Sequence, residues 1–369
     1  MRYTIAVSGI NATDNPGPGT GIARSLRESG LDVRIIGLAY DTMEPGIYMD
    51  WIIDKSYILP YPSIDPSSYL ERIRYIHERE QVDVIIPALD AELPLYITIE
   101  SQLAEMGIRT FLPSMAAFRA RGKDRLDDLA HKTGLFTPPT FVLTSGAEID
   151  GAIAQLGFPL LIKGPFYEAT VVTTRAQALA EFHHYAAKWG LPIIAQKFIS
   201  GEEYNCIGLG DGSGGDMGHC AIKKMLITRL GKIWTNVSIS NGEIFAIAET
   251  FVGALNWRGG YELELIREHK TGIYYLIEIN PRFPAWVFMA TGCGINLPLR
   301  LVQAVLGEPY ETHSDYEAGK ILMRYTDELV LDIGRLAAIT TSAELAGGKH
   351  GKREHGVSHY RETVPITSN

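Results

Sequence analysis

The segment that decides the fold is Gly260–Arg282, with the sequence GYELELIREHKTGIYYLIEINPR. Apolar and polar residues alternate on both sides of a glycine-containing turn, a pattern that predicts an antiparallel β-hairpin. If the turn centres on Thr271, Glu264 and Glu278 lie at equal distances from it along the chain. The two carboxylates are then expected to face each other on one side of the hairpin.

Directly opposed like charges destabilise a sheet, so this pair favours a bound cation. Asn280 lies two residues past Glu278, projects from the same face and offers a neutral oxygen. Two carboxylates and an amide oxygen, completed by water and phosphate, suit Mg²⁺, with Mn²⁺ as the alternative ion. Arg282 adds a planar donor group where a phosphoryl or carboxylate group would lie. The competing interpretation is an ordinary solvated polar face.

The composition is that of an ordinary globular protein. With 369 residues and a formal net charge of −9, the chain is long enough for two or three domains. The charge is spread along the sequence, which argues against a nucleic-acid surface and favours small-molecule partners. No apolar run reaches the roughly 18 residues of a membrane span. We expect a cytoplasmic protein, because no secretory signal is recognisable and Cys206, Cys220 and Cys293 lack disulfide or metal-ligand spacing.

The first 113 residues alternate short apolar runs with amphipathic stretches. The predicted strands are 4–8, 32–38, 82–87 and 110–112, and the predicted helices are 22–28, 69–79 and 93–106. Strand, helix and strand in repetition predict an open parallel sheet covered by helices.

A different organisation follows residue 113. A helical segment at 116–135 precedes predicted strands at 159–163 and 192–199 with a helix at 176–189 between them, and strands dominate 203–280. Residues 211–216 predict a hairpin turn, with a calcium loop as the alternative. A helix is expected at 297–306, and the more polar residues 309–369 are interpreted as an appendage.

The run Ile277–Arg282 resembles the E-x-N-P-R signature of the ATP-grasp superfamily, in the branch typified by the carbamoyl phosphate synthase large subunit. In that family the Glu and Asn bind metal ions, and an acidic or amide residue about fourteen positions earlier completes the site. These positions correspond to Glu278, Asn280 and Glu264. The resemblance covers residues 4 to 308 and implies α/β and α+β architecture. The implied units are an open parallel α/β domain (1–113), a small grasp subdomain (114–190), a large grasp subdomain with the metal site (191–308) and the carboxyl-terminal appendage (309–369).

The same resemblance implies a set of nucleotide-binding residues. Two lysines would contact the phosphates, backbone groups of a hinge strand would hold the adenine edge, Glu203 would hold the ribose, and Lys224 would reach the phosphates or substrate. Lys163 and Arg282 are implied as catalytic residues. The implied nucleotide-binding set is Lys123, Lys163, Gln196, Lys197, Phe198, Ile199, Glu203 and Lys224.

The loop after Lys163 departs from the family pattern. Family members commonly close a glycine-rich loop over the triphosphate through its backbone N–H groups. Here residues 164–172 are short and contain one glycine. Side chains of Tyr167 and Glu168 are candidates to replace those backbone contacts, and a degenerate, non-hydrolytic site is the competing explanation.

The glycines of residues 8–21 follow a predicted strand and precede a predicted helix, with Asp41 about twenty residues later. This invites a dinucleotide-binding interpretation, although the spacing is Gly-x-Gly-x-Gly and prolines interrupt the loop. The alternatives are a simple turn, or a helix N-terminus that receives the anionic end of a substrate. Asp90 and Glu92 are expected to line the same cleft. A zinc site at His350, His355 and His359 is not favoured.

We therefore expect an ATP- and Mg²⁺-dependent ligase that joins a carboxylate to an amine through an acylphosphate and releases ADP and phosphate. Two alternatives stay open: a carbamoyl-phosphate-type enzyme that works through carboxyphosphate, and a non-catalytic nucleotide-binding sensor or scaffold. The expected partners are small carboxylates and amines rather than nucleic acid or membrane, and a homodimer is compatible with this interpretation.

Overall fold

A computed structural model describes residues 2–13, 15–164, 169–228, 231–311 and 315–348. The strands within these ranges form one mostly parallel sheet of five strands and two antiparallel sheets of six and four strands. This combination agrees with the predicted α/β and α+β architecture. Among the helices in these ranges, none has the length and apolar character needed to cross a membrane.

The amino-terminal part of the chain alternates strands and helices, as predicted. Its elements are β1 (Tyr3–Val7), α1 (Gly19–Arg27), β2 (Val33–Ala39), β3 (Lys55–Ile58), α2 (Pro66–Glu80), β4 (Val84–Ile86), α3 (Leu93–Thr98) and α4 (Glu100–Glu105). The four strands are parallel in the order β3-β2-β1-β4.

For this part, one strand was missed and two expectations were wrong. Strand β3 was not predicted, because four residues give too little alternation to recognise. The strand expected at 110–112 is absent, and a single parallel bridge joins Arg109 to Val84 instead. The helix expected at 93–106 is two helices, because Ile99 leaves helical geometry between them.

The next part forms the four-stranded sheet, in the order β5-β8-β6-β7. Lys123 lies in a short 3₁₀ turn between the first two helices. Two further helices pack on the sheet around a core that includes Leu143, Phe182 and Ile193. The elements are α5 (Met115–Ala120), α6 (Leu126–Thr133), β5 (Thr140–Leu143), α7 (Ile149–Leu156), β6 (Leu160–Lys163), β7 (Ala169–Val172), α8 (Arg175–Trp189) and β8 (Ile193–Lys197).

The six-stranded sheet begins with the order β13-β12-β9-β10-β11. Its elements and the helices that follow are β9 (Gly201–Asp211), β10 (Asp216–Ile227), β11 (Ile233–Ile239), α9 (Gly242–Leu255), β12 (Arg258–Glu268), β13 (Tyr274–Asn280), α10 (Phe288–Gly292) and α11 (Leu297–Leu306). Helix α11 ends at Gly307, as predicted. Helix α9 was not predicted, because its mostly apolar sequence lies among strands and lacks a clear polar face.

The turn between β9 and β10 is a hairpin turn, as predicted. The Asp211 carboxylate accepts hydrogen bonds from the backbone N–H groups of Ser213 and Gly215 at 2.6 and 2.9 Å and from the Ser213 hydroxyl at 2.7 Å. These bonds account for the acidic residue as a turn-forming side chain, so the calcium alternative has no support here.

The carboxyl-terminal segment contributes to two sheets. It contains β14 (Ile321–Met323), α12 (Ile333–Ser342) and β15 (Glu344–Ala346). Strand β14 extends the six-stranded sheet beside β11, and β15 pairs antiparallel with β3 at the edge of the five-stranded sheet. The segment interpreted as an appendage is therefore part of both sheets, while the three histidines considered for zinc lie outside the described residues.

One hydrophobic core joins the amino-terminal sheet to the six-stranded sheet. It includes Ile5 of β1, Ile22 of α1, Ile207 of β9, Val287 and Leu301. Because this core is continuous, the carboxyl ends of the parallel strands are held against the end of the β12–β13 hairpin. The predicted domain boundaries near residues 113, 190 and 308 stay predictions.

Candidate active site

The β12–β13 hairpin brings Glu264 directly opposite Glu278, as the sequence predicted. The pairing is not uniform, however, because Leu265 pairs with Leu276 and Ile277 is left as a β-bulge. Leu276 and Ile279 both enter the core beneath the hairpin. The bulge thus reverses the alternation and places Glu278 on the face away from that core, where a uniform strand would have buried it.

Each carboxylate of this pair has a lysine partner. Lys123 Nζ lies 3.3 Å from Glu278 Oε1, and Lys224 Nζ donates to Glu264 Oε2 at 2.9 Å. Burial disfavours the charged form of Glu264, yet the attraction of Lys224 outweighs it and lowers the pKa of the Glu264 carboxyl. Lysines from two other elements thus contact the two opposed carboxylates.

The amide of Asn280 completes the set. Its Nδ2 donates to Glu262 Oε2 at 2.9 Å and to Glu264 Oε1 at 3.2 Å, which leaves Oδ1 on the opposite side of the amide. Two carboxylates and an amide oxygen are ligands that fit Mg²⁺. In the described part of the chain no cluster of three or more His, Cys, Asp or Glu has the arrangement of a metal centre. Any cation here would therefore take further ligands from water and phosphate.

A third carboxylate, Glu262, lies beneath the pair and was not predicted. It is almost fully buried and accepts hydrogen bonds from Asn205, Asn280 and Trp286. Burial, followed by repulsion from Glu264, raises the pKa of the Glu262 carboxyl. The sequence did contain one indication of Glu262: it lies two residues before Glu264, so the two side chains share a face of the strand.

Lys163 is close to the hinge strand. Its Nζ donates to Gln196 Oε1 at 2.7 Å, and Gln196 Nε2 in turn donates to Thr140 Oγ1 at 3.1 Å. Burial, assisted by repulsion from Lys123, lowers the pKa of Lys163 to about 8. The neutral amide of Gln196 binds the ammonium without supplying a balancing charge.

This lowered pKa predicts pH-dependent nucleotide binding. If Lys163 contacts the phosphates of a bound nucleotide, above about pH 8 it must take up a proton before ADP binds, because phosphate oxygens favour the charged ammonium. We expect the affinity for ADP to fall by about tenfold per pH unit above pH 8 and to be flat below it, because one proton is linked to binding. The measurement is titration calorimetry between pH 7 and 9.5.

The matched variant for this prediction is Gln196→Glu. A carboxylate beside Lys163 stabilises the ammonium, so the decline in ADP affinity should move to higher pH. A wild-type affinity that stays constant to pH 9.5 would contradict the role assigned to Lys163.

The remaining predicted nucleotide residues lie around the same cleft. Lys224 is nearly buried and also donates to Glu203 Oε2 at 2.7 Å. The backbone N–H of Lys197 donates to the Pro139 carbonyl at 2.9 Å, and the contact of hinge backbone groups with adenine stays a prediction. Ile199 is buried, and Phe198 is partly buried beside it.

Arg282 connects the hairpin to the amino-terminal sheet. Its Nη2 donates to Asp90 Oδ2 at 3.1 Å, just past the end of β4. Burial opposes the charge on Arg282, but Asp90 and Glu262 outweigh it and raise the pKa of the guanidinium. Asp90 therefore lies at the cleft, as predicted.

Glu92 does not line the cleft, so its predicted position was wrong. It is completely buried and accepts hydrogen bonds from the Ser8 and Tyr40 hydroxyls and from the backbone N–H groups of Ala88 and Leu89. By accepting hydrogen bonds from these groups, the buried Glu92 carboxyl fixes the loop after β4. The loop that Glu92 anchors also carries Asp90.

The amino-terminal glycines are explained by close packing. A Cβ on Gly17 or Gly19 would lie 2.2 Å from the Gly9 oxygen or 2.1 Å from the Ser8 oxygen, and one on Gly21 would lie 2.9 Å from Val287. These contacts account for the glycines without a dinucleotide.

Asn236 is a polar residue without a visible function. It is completely buried on β11 opposite Lys224, and neither polar atom of its side chain has a hydrogen-bond partner among the described residues. A buried unpaired polar group costs about 1–3 kcal/mol. We expect Asn236→Leu to raise the free energy of unfolding by about 1 kcal/mol, measured as a higher midpoint in urea.

Asn205 supplies the matched control for this stability prediction. Its Nδ2 donates to Glu262 Oε1 at 2.7 Å, so Asn205→Leu should lower the urea midpoint. A lower midpoint for Asn236→Leu as well would mean that its amide is paired in solution.

Sequence comparisons relate the chain to ligases and synthases. No family model matches it. It is 24% identical over 309 residues to the carbamoyl phosphate synthase large chain of Gemmatimonas aurantiaca, covering 77% of this chain and 26% of that protein. It is 34% identical over 94 residues to the D-alanine–D-alanine ligase of Ectopseudomonas mendocina, covering 24% of this chain and 30% of that protein. The chain thus matches about a third or less of the length of these relatives.

Solved structures extend the likeness over most of the chain. One is the biotin carboxylase domain of Hydrogenobacter thermophilus 2-oxoglutarate carboxylase, which is a dimer in complex with MgADP, ADP and bicarbonate. Its TM-score is 0.67 at 17% identity, and the match covers 86% of this chain and 73% of that one. The L-amino acid ligase from Bacillus licheniformis has a TM-score of 0.62 at 17% identity, covering 84% and 75%. The chain therefore shares the ATP-grasp fold of these structures.

Proposed function

We propose that this protein is an ATP-dependent ligase that joins a carboxylate to an amine. The observation that carries the proposal is the cluster at the hairpin, where Glu264 and Glu278 face each other and lysines from two other elements contact them. Lys163 of the four-stranded sheet also lies near enough to Lys123, Glu264 and Glu278 to interact with their charges, which supports one shared site. The likeness to D-alanine–D-alanine ligase and to L-amino acid ligase supports the same reaction class.

Glu264, Glu278 and the Asn280 oxygen would hold Mg²⁺, which supplies positive charge beside the transferring phosphoryl group. Lys163 and Lys123 would bind the phosphates of ATP, and the hinge around residues 196–199 would hold adenine. In this arrangement the protein mainly positions the reactants and neutralises charge.

The reaction then takes two steps. A carboxylate oxygen of the first substrate attacks the γ-phosphorus of ATP, the bond to the β–γ bridging oxygen breaks, and ADP leaves. The amine nitrogen of the second substrate attacks the acylphosphate carbon and loses a proton, and phosphate leaves as the amide forms. Arg282, whose guanidinium bridges the hairpin and Asp90, would stabilise negative charge on the phosphoryl group in both steps.

The experiment is ADP release by the purified protein with Mg²⁺ and pools of amino acids and small carboxylates. Addition of hydroxylamine traps an acylphosphate as a hydroxamate, which separates this reaction from one through carboxyphosphate. We expect substrate-dependent ADP release and a hydroxamate of the carboxylate substrate. Tight ATP binding without turnover under any pool would instead favour the non-catalytic sensor.

Two further features belong to this proposal. The biotin carboxylase domain with the same fold is a dimer, which supports a homodimer here. The cytoplasmic location rests on the sequence alone.

A further inference from the structure

Glu262 stands apart from the residues that the family signature implies, although it touches one of them. It lies on β12 directly opposite Asn280 on β13, and only 4% of it is exposed. A buried carboxylate is costly unless donors surround it. The groups that donate hydrogen bonds to Glu262 therefore indicate its role.

The two oxygens of Glu262 have different partners. Oε1 accepts from Asn205 Nδ2 at 2.7 Å and from Trp286 Nε1 at 2.6 Å, both in nearly fully buried residues. Oε2 accepts from Asn280 Nδ2 at 2.9 Å. Asn205 and Trp286 thus fix the carboxylate from below, and its second oxygen is presented to Asn280.

The orientation of the Asn280 amide follows from this contact. Its Nδ2 donates to Glu262 and to Glu264, so both N–H groups are directed at carboxylates. An amide has one donor end and one acceptor end, and Oδ1 is therefore turned away from both. If the amide rotated by half a turn, it would present N–H groups to a cation and an oxygen to two carboxylates.

We propose that Glu262 is a positioning residue that holds the Asn280 amide with its oxygen toward the bound cation. This inference rests on the proposed function, because it assumes that a cation accompanies the nucleotide at this hairpin. Residues that orient metal ligands through hydrogen bonds typically change metal affinity or activity about 10–100-fold when replaced. Trp286 belongs to the core shared with helix α1, so the orientation is also tied to packing against the amino-terminal part.

The test measures Mn²⁺ binding rather than turnover. Free Mn²⁺ is titrated by electron paramagnetic resonance in the presence of saturating ADP, with Glu262→Gln beside the wild type. We expect about tenfold or more weaker Mn²⁺ binding in the variant and unchanged ADP binding in EDTA. The matched control is Glu202→Gln, which removes an exposed carboxylate that pairs with Lys223 on β10 and should leave Mn²⁺ binding unchanged.

A second variant separates orientation from general damage to the fold. In Asn280→Asp combined with Glu262→Gln, the introduced glutamine donates and the introduced aspartate accepts, so the hydrogen bond is restored with reversed polarity. Mn²⁺ binding should recover to within a few-fold of wild type. The inference would be overturned by wild-type Mn²⁺ affinity in Glu262→Gln, or by weak Mn²⁺ binding that does not recover in the double variant. Either result would leave the proposed function intact. A wild-type protein that binds no Mn²⁺ with ADP would overturn both.

Discussion

Replacement of Glu278 by glutamine is expected to reduce substrate-dependent ADP release by about a thousandfold. A single group that stabilises charge in a transition state commonly contributes about 10²–10³ in rate, and Glu278 is also a proposed ligand of the cation. The variant keeps the shape of the side chain and removes its charge. Glu278 faces Glu264 across the hairpin and lies 3.3 Å from the ammonium of Lys123. Loss of this charge is therefore expected to weaken the proposed cation site and to remove the ion pair with Lys123.

The measurement for this variant is kcat for ADP release at saturating Mg²⁺ and substrate pool. Glu202→Gln is the control, because Glu202 is also a carboxylate paired with a lysine but lies at the start of β9. A Glu278→Gln protein with at least a tenth of the wild-type kcat would rule out the metal site assigned to this hairpin.

Replacement of Arg282 by lysine is expected to lower kcat by about 10²–10³, the range for loss of one preorganised donor, with less than a fewfold change in the KM for ATP. The guanidinium donates to Asp90 through one nitrogen and to the Phe283 carbonyl at 3.2 Å through another. A lysine is a point charge and cannot keep this planar arrangement while also facing a phosphoryl group.

Asp90→Asn separates two roles of Arg282. Asp90 orients the guanidinium from the end of β4, and its Oδ1 has no hydrogen-bond partner within the described residues. If Arg282 acts on the phosphoryl group, Asp90→Asn should cost only about tenfold in kcat, as for other residues that orient a functional group. Equal losses in both variants would show that Arg282 acts by joining the hairpin to the amino-terminal sheet.

The hairpin illustrates how far the sequence could predict the site. Counting outward from Thr271 gave the correct pairing of Glu264 with Glu278, yet the pairs nearer the turn are shifted by one residue. The β-bulge at Ile277 accounts for this shift, and the residue types at that position do not predict a bulge. The predicted face of Glu278 and Asn280 was right, although uniform alternation would have turned both side chains toward the core beneath the hairpin.

Other features depended on contacts that a sequence does not contain. Glu92 and Asp90 are two residues apart, and only the folded chain shows that the first is buried and the second reaches Arg282. The partners of Lys123 and Lys224 on the hairpin, Glu278 and Glu264, lie more than thirty residues away along the chain. Tyr167 and Glu168, considered as substitutes for a glycine-rich lid, lie outside the described residues.

The carboxyl-terminal strands have a practical consequence for dividing the protein. The Arg335 guanidinium donates to both oxygens of Asp50 at 2.8 and 2.6 Å, and β15 covers the edge of β3 while β14 covers the edge of β11. A fragment that ends at residue 308 would expose the edges of two strands, and exposed strand edges can pair with strands of other chains. Residues 315–348 thus protect one edge of each of these two sheets, and a truncation that removes them is expected to favour aggregation.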